Sequence, residues 1–434
     1  MQTSKFNLAI ALSLAAIATF TGACQDTTAP TDGNGETPTN TGAEGLKLGS
    51  LTPTTGDLSS IGQNMPIAVE LAVETINACG GVNEQPVTLI QEDSQTDPTA
   101  GGAAMTKLAE VDRVAGVVGA FASSVSSAAV DVAVRNQVML VSPGSTSPVF
   151  TERAANGDFD GYWARTAPPD SYQAPALAVL AQKQGFERVS TVVINNDYGV
   201  GFEQEFIKAF ENLGGTIVNK DNPVRYDPKA ATLDSEAAAA FAGEPDAVLG
   251  VLYAETGSLL LKAAYEQGLS EGITVLLTDG VYSEDFTQQV GTTAAGQSII
   301  AGALGTVPGA DGPALEAFTA LWREKTGKEV TAYVPHSWDA AIAMMLAAEA
   351  ADVNTGEGIK NYLREVTSGD GQEVSDPCEA ITLVREGQAI NYQGASGNVD
   401  FDENGDVAGN YDVWTVNEDA SLSVIDTVNP LEAL

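Results

Sequence analysis

The stretch Leu46–Val82, LKLGSLTPTTGDLSSIGQNMPIAVELAVETINACGGV, predicts one complete strand–loop–helix unit of the fold. It opens with a mostly apolar run, continues through a loop rich in threonine, and then places apolar side chains at helical spacing. Gly80-Gly81 follow, and glycine readily adopts the left-handed conformation that ends a helix. The same order of features recurs from Val189 to Gly215, so we expect two similar lobes.

Short apolar runs alternate with helical patterns along the rest of the chain. Several runs are apolar at successive positions, which is typical of strands covered on both faces of a parallel sheet. The predicted strands are Leu46–Leu51, Val87–Gln91, Val114–Phe121, Val138–Val141, Val189–Ile194, Ala247–Tyr253, Ile273–Thr278 and Ile299–Leu304. This alternation predicts an α/β protein with two doubly wound lobes.

Length and charge narrow the class of protein further. The chain has 434 residues, which suits two domains, and 44% of them are hydrophobic, as in a globular protein. With 58 acidic and 20 basic residues the formal net charge is -38. Such a field repels phosphate backbones, so nucleic acid is not expected as a partner.

The first residues resemble a targeting segment and not part of the fold. Lys5 precedes an apolar run, Phe6 to Phe20, that is too short to span a membrane, and Thr21-Gly22-Ala23 places small residues before Cys24. This resembles a bacterial lipoprotein signal over 1–24, with Cys24 as the lipidated residue. The alternative is a plain secretory signal cleaved near Ala23. Both alternatives predict export, and the polar range 25–45 is expected to be a flexible tether.

Several short motifs follow one another in an order that resembles the periplasmic Leu/Ile/Val-binding family of type I solute-binding proteins. The motifs are Leu51-Thr52-Pro53-Thr54-Thr55-Gly56-Asp57-Leu58, Ala68-x-x-Leu71-Ala72-x-x-x-Ile76-Asn77, Glu92-Asp93 with Asp97-Pro98, Gly119-Ala120-Phe121-Ala122-Ser123-Ser124, Ser142-Pro143-Gly144-Ser145-Thr146, Asp197-Tyr198-Gly199, Thr278-Asp279-Gly280 and Gly397-x-x-x-Phe401-Asp402. The resemblance covers Leu46 to Val416. It implies two lobes joined by a three-strand hinge, with a ligand cleft above the hinge.

Breaks in the strand–helix pattern indicate where the chain crosses between the lobes, and the resemblance implies that each lobe is built from two separate segments. The first lobe is predicted to comprise residues 46–167 and 299–396, and the second lobe residues 168–298 and 397–434. Three crossings between the lobes follow from this division.

One pole of the expected ligand site comes from the first lobe. Ser123 follows a buried strand and opens a helix, where hydroxyl and N–H groups favour an anion. The resemblance implies that Ser123 and Thr146 are hydroxyl contacts and that Gly144 or Ser145 provides backbone contacts. Ser124 and Ser126 are interpreted as helix-capping residues.

The other pole comes from the second lobe. Asp279 ends a hydrophobic strand, where side chains point into the crevice of an open α/β sheet, and the resemblance implies that it binds an ammonium group. Tyr198 and Tyr253 resemble the ring-lined wall of the family's site. Weaker candidates for the rim of the pocket are Ile61, Phe121 and Tyr172.

Signals for metal, cofactor or catalysis are weak. The calcium-like run from Asp400 lacks glutamate at its twelfth position, which is Tyr411, and no nucleotide-binding glycine pattern follows a strand. No metal site and no cofactor are predicted. A serine hydrolase using Ser123 or Ser142 with His336, the single histidine, is a remote alternative because Gly-x-Ser-x-Gly is missing at both serines.

Cysteine usage agrees with export. If Cys24 carries lipid, Cys79 and Cys378 remain as an even pair, and a disulfide between them is predicted for an oxidising compartment.

Taken together, the sequence features and the resemblance predict a lipid-anchored, non-enzymatic binding protein for an amino acid, most simply a branched-chain one, that delivers its ligand to a membrane ABC permease. A ligand-sensing receptor domain without a transport role is the alternative.

Overall fold

The structure, a computed structural model, describes residues 45–430. The predicted signal, Cys24 and the tether up to residue 44 lie outside this range. The strands are β1 Lys47–Thr52, β2 Thr88–Asp93, β3 Gly116–Gly119, β4 Met139–Ser142, β5 Trp163–Arg165, β6 Arg188–Ile194, β7 Thr216–Ile217, β8 Val224–Tyr226, β9 Ala247–Val251, β10 Thr274–Leu277, β11 Leu304–Pro308, β12 Gln372–Val374, β13 Ile390–Tyr392, β14 Tyr411–Val416 and β15 Leu422–Val428.

Helices connect and cover these strands. They are α1 Ser59–Gly62, α2 Met65–Ala78, α3 Pro98–Thr106, α4 Ser123–Arg135, α5 Val149–Ala155, α6 Asp170–Lys183, α7 Asp197–Asn212, α8 Asp234–Ala240, α9 Ala254–Glu266, α10 Glu284–Val290, α11 Leu315–Thr326, α12 Val334–Ala351, α13 Gly356–Ser368 and α14 Pro377–Arg385. Within residues 45–430 we find no helix with the length and apolar character that crossing a membrane requires.

The first sheet has five parallel strands in the order β2-β1-β3-β4-β5. Its central strands β3 and β4 are buried along their whole length, as expected for a sheet covered on both faces. On one face, α2 and α12 pack against each other and against the sheet. Helix α12 is buried from Val334 to Glu349, which explains why it is apolar all round and not amphipathic.

The second sheet has eight strands, with seven in the order β15-β14-β11-β10-β9-β6-β7 and β8 paired beside β6. Strands β6 to β11 pair in parallel, whereas β14 and β15 form an antiparallel hairpin at one edge. The sequence did not predict this hairpin. Its inner strand β14 alternates buried and half-buried residues, and its outer strand β15 is largely exposed, so neither has the continuous apolar run of a central strand.

The chain passes between the two sheets three times. It leaves the first sheet after β5, returns after β11 to helices that pack in the core of the first sheet, and crosses again between β13 and β14. Strand β11 pairs with β10 and β14, so residues 304–308 belong to the second sheet. The sequence had assigned them to the range 299–396 of the first lobe, and the pairing moves that crossing to a point after Pro308.

One predicted strand is largely wrong. Residues 299–303 form turns that precede β11, although Ile300 and Ala303 are buried. Their apolar character reflects burial beside the second sheet, because burial alone does not distinguish a strand from a buried turn. The other seven predicted strands each overlap an observed strand, with ends displaced by a few residues.

The two cysteines predicted to pair are joined. Cys79 lies at the carboxyl end of α2 and Cys378 lies in α14, with their Cα atoms 5.4 Å apart. The bond links elements separated by 299 residues along the chain. It therefore ties the start of the first lobe to the segment that returns to it.

Candidate functional site

The carboxyl ends of the strands of the two sheets face each other across a small cavity. Its lining includes five of the seven residues that the sequence predicted to bind a ligand. They are Ser123 and Gly144 from the first lobe and Tyr198, Tyr253 and Asp279 from the second. The cavity has a volume of about 10 Å³, close to the minimum for one water molecule. The lobes must therefore move apart for anything as large as an amino acid to enter.

Asp279 lies at the second-lobe wall of this cavity and is 3% exposed. Its Oδ1 accepts a hydrogen bond from Gln173 Nε2 at 3.0 Å and from the Tyr198 hydroxyl at 2.9 Å. Its Oδ2 accepts from the Tyr333 hydroxyl at 2.7 Å. Burial raises the pKa of Asp279, and the hydrogen bonds from Tyr333, Tyr198 and Gln173 oppose that rise.

A second buried carboxylate, Asp170, lies close enough to Asp279 for the two charges to interact. Asp170 is the first residue of α6 and is fully buried. Its carboxylate oxygens make no hydrogen bond of good geometry, and only the neighbouring Thr146 hydroxyl and the charge of Arg165 stabilise its ionised form. Burial, followed by repulsion from Asp279, raises the pKa of Asp170 well above its ordinary value. Two buried carboxylates that repel each other are costly, so this pair of acids favours the binding of a cation or a proton.

The first-lobe wall offers hydroxyl groups and the start of a helix. Ser123 opens α4, and its Oγ accepts a hydrogen bond from the Ser147 N–H at 3.3 Å, which leaves its own O–H proton available. Thr146 is fully buried, its hydroxyl stabilises the neighbouring Asp170 carboxylate, and its carbonyl accepts the Asp170 N–H at 2.8 Å. The first-lobe wall therefore offers hydroxyl and N–H groups that suit an anion, next to the acidic residues of the second lobe.

Hydrogen bonds inside the first lobe stabilise the loop that carries Thr146. The Ser142 Oγ accepts the N–H groups of Gly144 and Ser145 at 3.2 and 2.8 Å. The Ser145 Oγ lies within 3.1 Å of Ala120 O, and its carbonyl accepts Arg165 Nη1 at 2.9 Å. The N–H, hydroxyl and carbonyl of Ser145 therefore all have hydrogen-bond partners within the protein, which argues against the predicted ligand contact by Ser145.

Gly144 is kept small by the aromatic ring beside it. A Cβ atom at this position would lie 2.1 Å from the ring of Phe121, which lines the cavity. Any larger residue would push the ring out of place. Gly144 is therefore a position that shapes the cavity, while its N–H group is engaged by Ser142.

Aromatic rings form much of the remaining wall. Tyr198 and Tyr253 stack with their ring centroids 5.7 Å apart, and Phe121 meets Tyr333 edge to face at 4.8 Å. Beyond Tyr333 lies a wider cleft of about 730 Å³, lined by residues of both lobes that include Ile61. Tyr172 lines neither space.

The remote catalytic alternative finds no support in the geometry. The Ser142 Oγ donates to Ala120 O at 2.5 Å, and within residues 45–430 no hydrogen bond joins His336 to Ser142 or Ser123. Burial lowers the pKa of His336 to about 3. In the same part of the chain no cluster of three or more His, Cys, Asp or Glu side chains is placed to hold a metal ion.

Sequence reasoning missed Asp170, Gln173 and Tyr333. Asp170 follows Pro168-Pro169 and resembles an ordinary acidic residue in the first turn of a helix. Tyr333 has a left-handed backbone, with φ of 65°, before α12, which is rare for a bulky residue. The signal that could have drawn attention to Asp170 is its position directly after a predicted crossing, where the cleft begins.

Two α/β lobes that bring polar side chains to one buried cavity define a ligand-binding protein. A family model described as the receptor family ligand binding region matches residues 64–419, which is most of the chain. The protein belongs to this family. The family is one of non-enzymatic ligand-binding regions.

The chain is similar to proteins whose names specify their ligands or roles. It is 26% identical over 372 residues to the chemotactic signal transduction system substrate-binding protein BasB of Halobacterium salinarum, covering 82% of this chain and 83% of that protein. It is 27% identical over 367 residues to Leu/Ile/Val-binding protein homolog 2 of Brucella abortus, covering 83% and 87%. The crystal structure of the leucine binding protein LivK of Thermotoga maritima has a TM-score of 0.74 at 24% identity, covering 89% and 99%. This likeness confirms the predicted fold class.

Proposed function

We propose that the protein is the solute-binding component of an ABC importer, exported, attached to a membrane by lipid on Cys24, and specific for a branched-chain amino acid. The Leu/Ile/Val-binding relative supports the class of ligand, and the family supports a ligand-binding role. The proposed lobes comprise residues 46–167 with the segment that returns after Pro308, and residues 168–308 with 397–434.

The observation that carries this proposal is the pair of buried carboxylates, Asp170 and Asp279, whose charges repel each other. An ammonium group between the two acids would neutralise their repulsion and donate charged hydrogen bonds to them. The carboxylate of the same ligand would bind the Ser123 hydroxyl and the start of α4. A zwitterionic amino acid satisfies both poles at once.

No bond is made or broken in the proposed mechanism. The ligand enters between separated lobes, contacts both walls, and biases the balance between open and closed forms toward the closed form. The closed form would then be recognised by the permease. An affinity in the micromolar range corresponds to about -8 kcal/mol, which is ample to shift such a balance.

Analogues of leucine that lack one charged group test this function. Titration calorimetry should detect binding of L-leucine, whereas 4-methylpentanoate, which lacks the ammonium, should bind at least ~100-fold more weakly because two buried acids stay uncompensated. 3-Methylbutylamine, which lacks the carboxylate, should also lose affinity. Binding of 4-methylpentanoate as tightly as L-leucine would contradict the proposal.

The affinity for L-leucine is expected to fall in acid. The pKa values of Asp170 and Asp279 are both raised, by burial first and, for Asp170, next by repulsion from Asp279. As the pH falls through these raised values the acids take up protons and no longer attract an ammonium, while L-leucine stays a zwitterion down to about pH 4. Calorimetry at pH 7 and pH 5 should show weaker binding at pH 5.

Protonation of Asp170 and Asp279, which should weaken ligand binding, should stabilise the fold of the ligand-free protein. A carboxyl whose pKa is higher in the folded chain than in the unfolded chain binds its proton more tightly when folded. These two acids therefore stabilise the fold as the pH falls through their raised pKa values and destabilise it as the pH rises again.

Equal or tighter L-leucine binding at pH 5 would contradict the assignment of both acids to the ammonium.

A sensing role is the second candidate, because BasB is named as part of a chemotactic signal transduction system. The two functions share the site and differ in the partner. A neighbouring gene for a membrane permease, and stimulation of that permease's ATPase by the ligand-bound protein, would favour transport. Binding to a signalling receptor without such stimulation would favour sensing.

A further inference from the structure

One carboxylate of the first lobe lies against the end of a helix in the second lobe. Asp57 is in the loop between β1 and α1, and its Oδ1 accepts the N–H groups of Glu255 and Thr256 at 2.6 and 3.1 Å. Its Oδ2 accepts the Thr256 hydroxyl at 2.7 Å. Glu255 and Thr256 are in the first turn of α9.

Helix α9 has no capping side chain of its own. The first N–H groups of a helix have no partner within it, and a Ser, Thr, Asp or Asn at the cap position normally accepts them. In α9 that position is Tyr253, whose side chain makes no capping hydrogen bond. Asp57 therefore caps α9 from the opposite lobe. Its negative charge also interacts favourably with the positive end of the helix dipole.

The contact adjoins the ligand cavity on both sides. Leu58, next to Asp57, and Tyr253, two residues before Glu255, both line the cavity. The closing movement that brings these walls together also brings Asp57 to α9. When the lobes separate, the first turn of α9 loses its acceptor, so the contact favours the closed form only.

We propose that Asp57, Glu255 and Thr256 form a clasp that holds the lobes closed and slows release of the ligand without touching it. Asp57 is in this sense a positioning residue. Another ion pair between the lobes, Lys229 with Asp97, is weaker because its lysine side chain is 78% exposed and surface pairs contribute little. The effect on release rests on the proposed function, whereas the clasp itself does not.

A pair of alanine substitutions separates the clasp from ordinary helix capping. Asp57→Ala removes the clasp. Asp376→Ala is the matched control, because Asp376 caps α14, and the Asp376 carboxylate accepts the Glu379 N–H at 2.8 Å within the first lobe. Both changes remove an aspartate from a helix start, but only Asp57→Ala removes it across the cleft.

Hydrogen exchange without ligand tests the clasp first. We expect the amides of Glu255 and Thr256 to exchange at least about tenfold faster in Asp57→Ala, with the middle of α9 unchanged and Asp376→Ala like the original protein at α9. Small-angle scattering should show a larger radius of gyration for Asp57→Ala alone. Unchanged exchange and an unchanged radius would overturn the clasp, whether or not L-leucine binds.

Stopped-flow kinetics with L-leucine test the effect on release. Asp57→Ala should dissociate about tenfold faster, equivalent to about 1.4 kcal/mol, with association changed less than about twofold. Asp57→Asn, which keeps one acceptor but not the charge, should lie between. Dissociation from Asp57→Ala that matches Asp376→Ala would overturn the role in release. If the unaltered protein shows no L-leucine binding while the exchange result holds, the proposed ligand fails and the clasp stands.

Discussion

Replacing Asp279 with asparagine is expected to raise the dissociation constant for L-leucine by about 100-fold or more, or about 3 kcal/mol, since a buried charge pair loses one partner. Asparagine keeps the size of the side chain and an oxygen that can accept the hydrogen bonds from Tyr198 and Gln173. The change therefore reports mainly the charge. Calorimetry or a ligand-induced thermal shift measures the loss.

The ligand-free variant should be no less stable than the original protein. Asp279 raises the pKa of Asp170 by repulsion, and removing the charge of Asp279 removes that repulsion. Loss of binding with an unchanged or higher melting temperature would thus point to the site and not to unfolding. Asp221→Asn, at an exposed position in the second lobe, is the control that should bind normally. Normal L-leucine binding by Asp279→Asn would remove Asp279 from the site.

Replacing Arg165 with methionine is expected to destabilise the fold by about 3–5 kcal/mol, because it leaves Asp406 as a buried charge without its partner. Arg165 is fully buried, and its Nε donates to Asp406 Oδ1 at 2.7 Å. Its Nη1 donates to the carbonyls of Ser145 and Ser147 at 2.9 Å each. One guanidinium thus joins the third crossing segment to the loop that carries Thr146.

Urea unfolding measures this loss against two other variants. Lys220→Met removes an ion pair with Glu211 in which the lysine is 54% exposed, and it should cost less than about 1 kcal/mol. Adding Asp406→Asn to Arg165→Met should recover part of the stability by neutralising the unpaired acid. A loss below about 1 kcal/mol for Arg165→Met, with no recovery in the double variant, would contradict the buried pair as an essential link.

The sequence-predicted residues that line the small cavity share one physical property. Ser123, Tyr198, Tyr253 and Asp279 each follow the carboxyl end of a parallel strand. Continuous apolar runs mark such strands in the sequence, and parallel strands point their carboxyl ends into a common crevice. The position of these side chains follows from the pattern, and the structure brings all four to one cavity.

The features that could not be predicted from the sequence depend on contacts between segments that are distant along the chain. Asp170 differs from other acidic helix starts in its complete burial and its interaction with Asp279, and Tyr333 donates to Asp279 from 54 residues further along the chain. The position of β11 depends on its pairing with β10 and β14, which are distant from each other in sequence. Such partnerships are a property of the assembled sheets.

The proposed specificity for a zwitterion rests on where the charges lie. Asp170 and Asp279 are buried, where electrostatic interactions are strong, and Asp279 lines the same cavity as Ser123. A ligand with one charged group would leave the other pole without a partner. The selection of ligands thus depends on the two poles together and not on the aromatic wall between them.

A crystal structure of the protein grown with L-leucine tests the two-pole account most directly. It should show the leucine ammonium within about 3 Å of the carboxylates of Asp170 and Asp279, and the leucine carboxylate at a similar distance from the Ser123 hydroxyl. Leucine bound elsewhere, or bound with its carboxylate toward the two acids, would contradict the account.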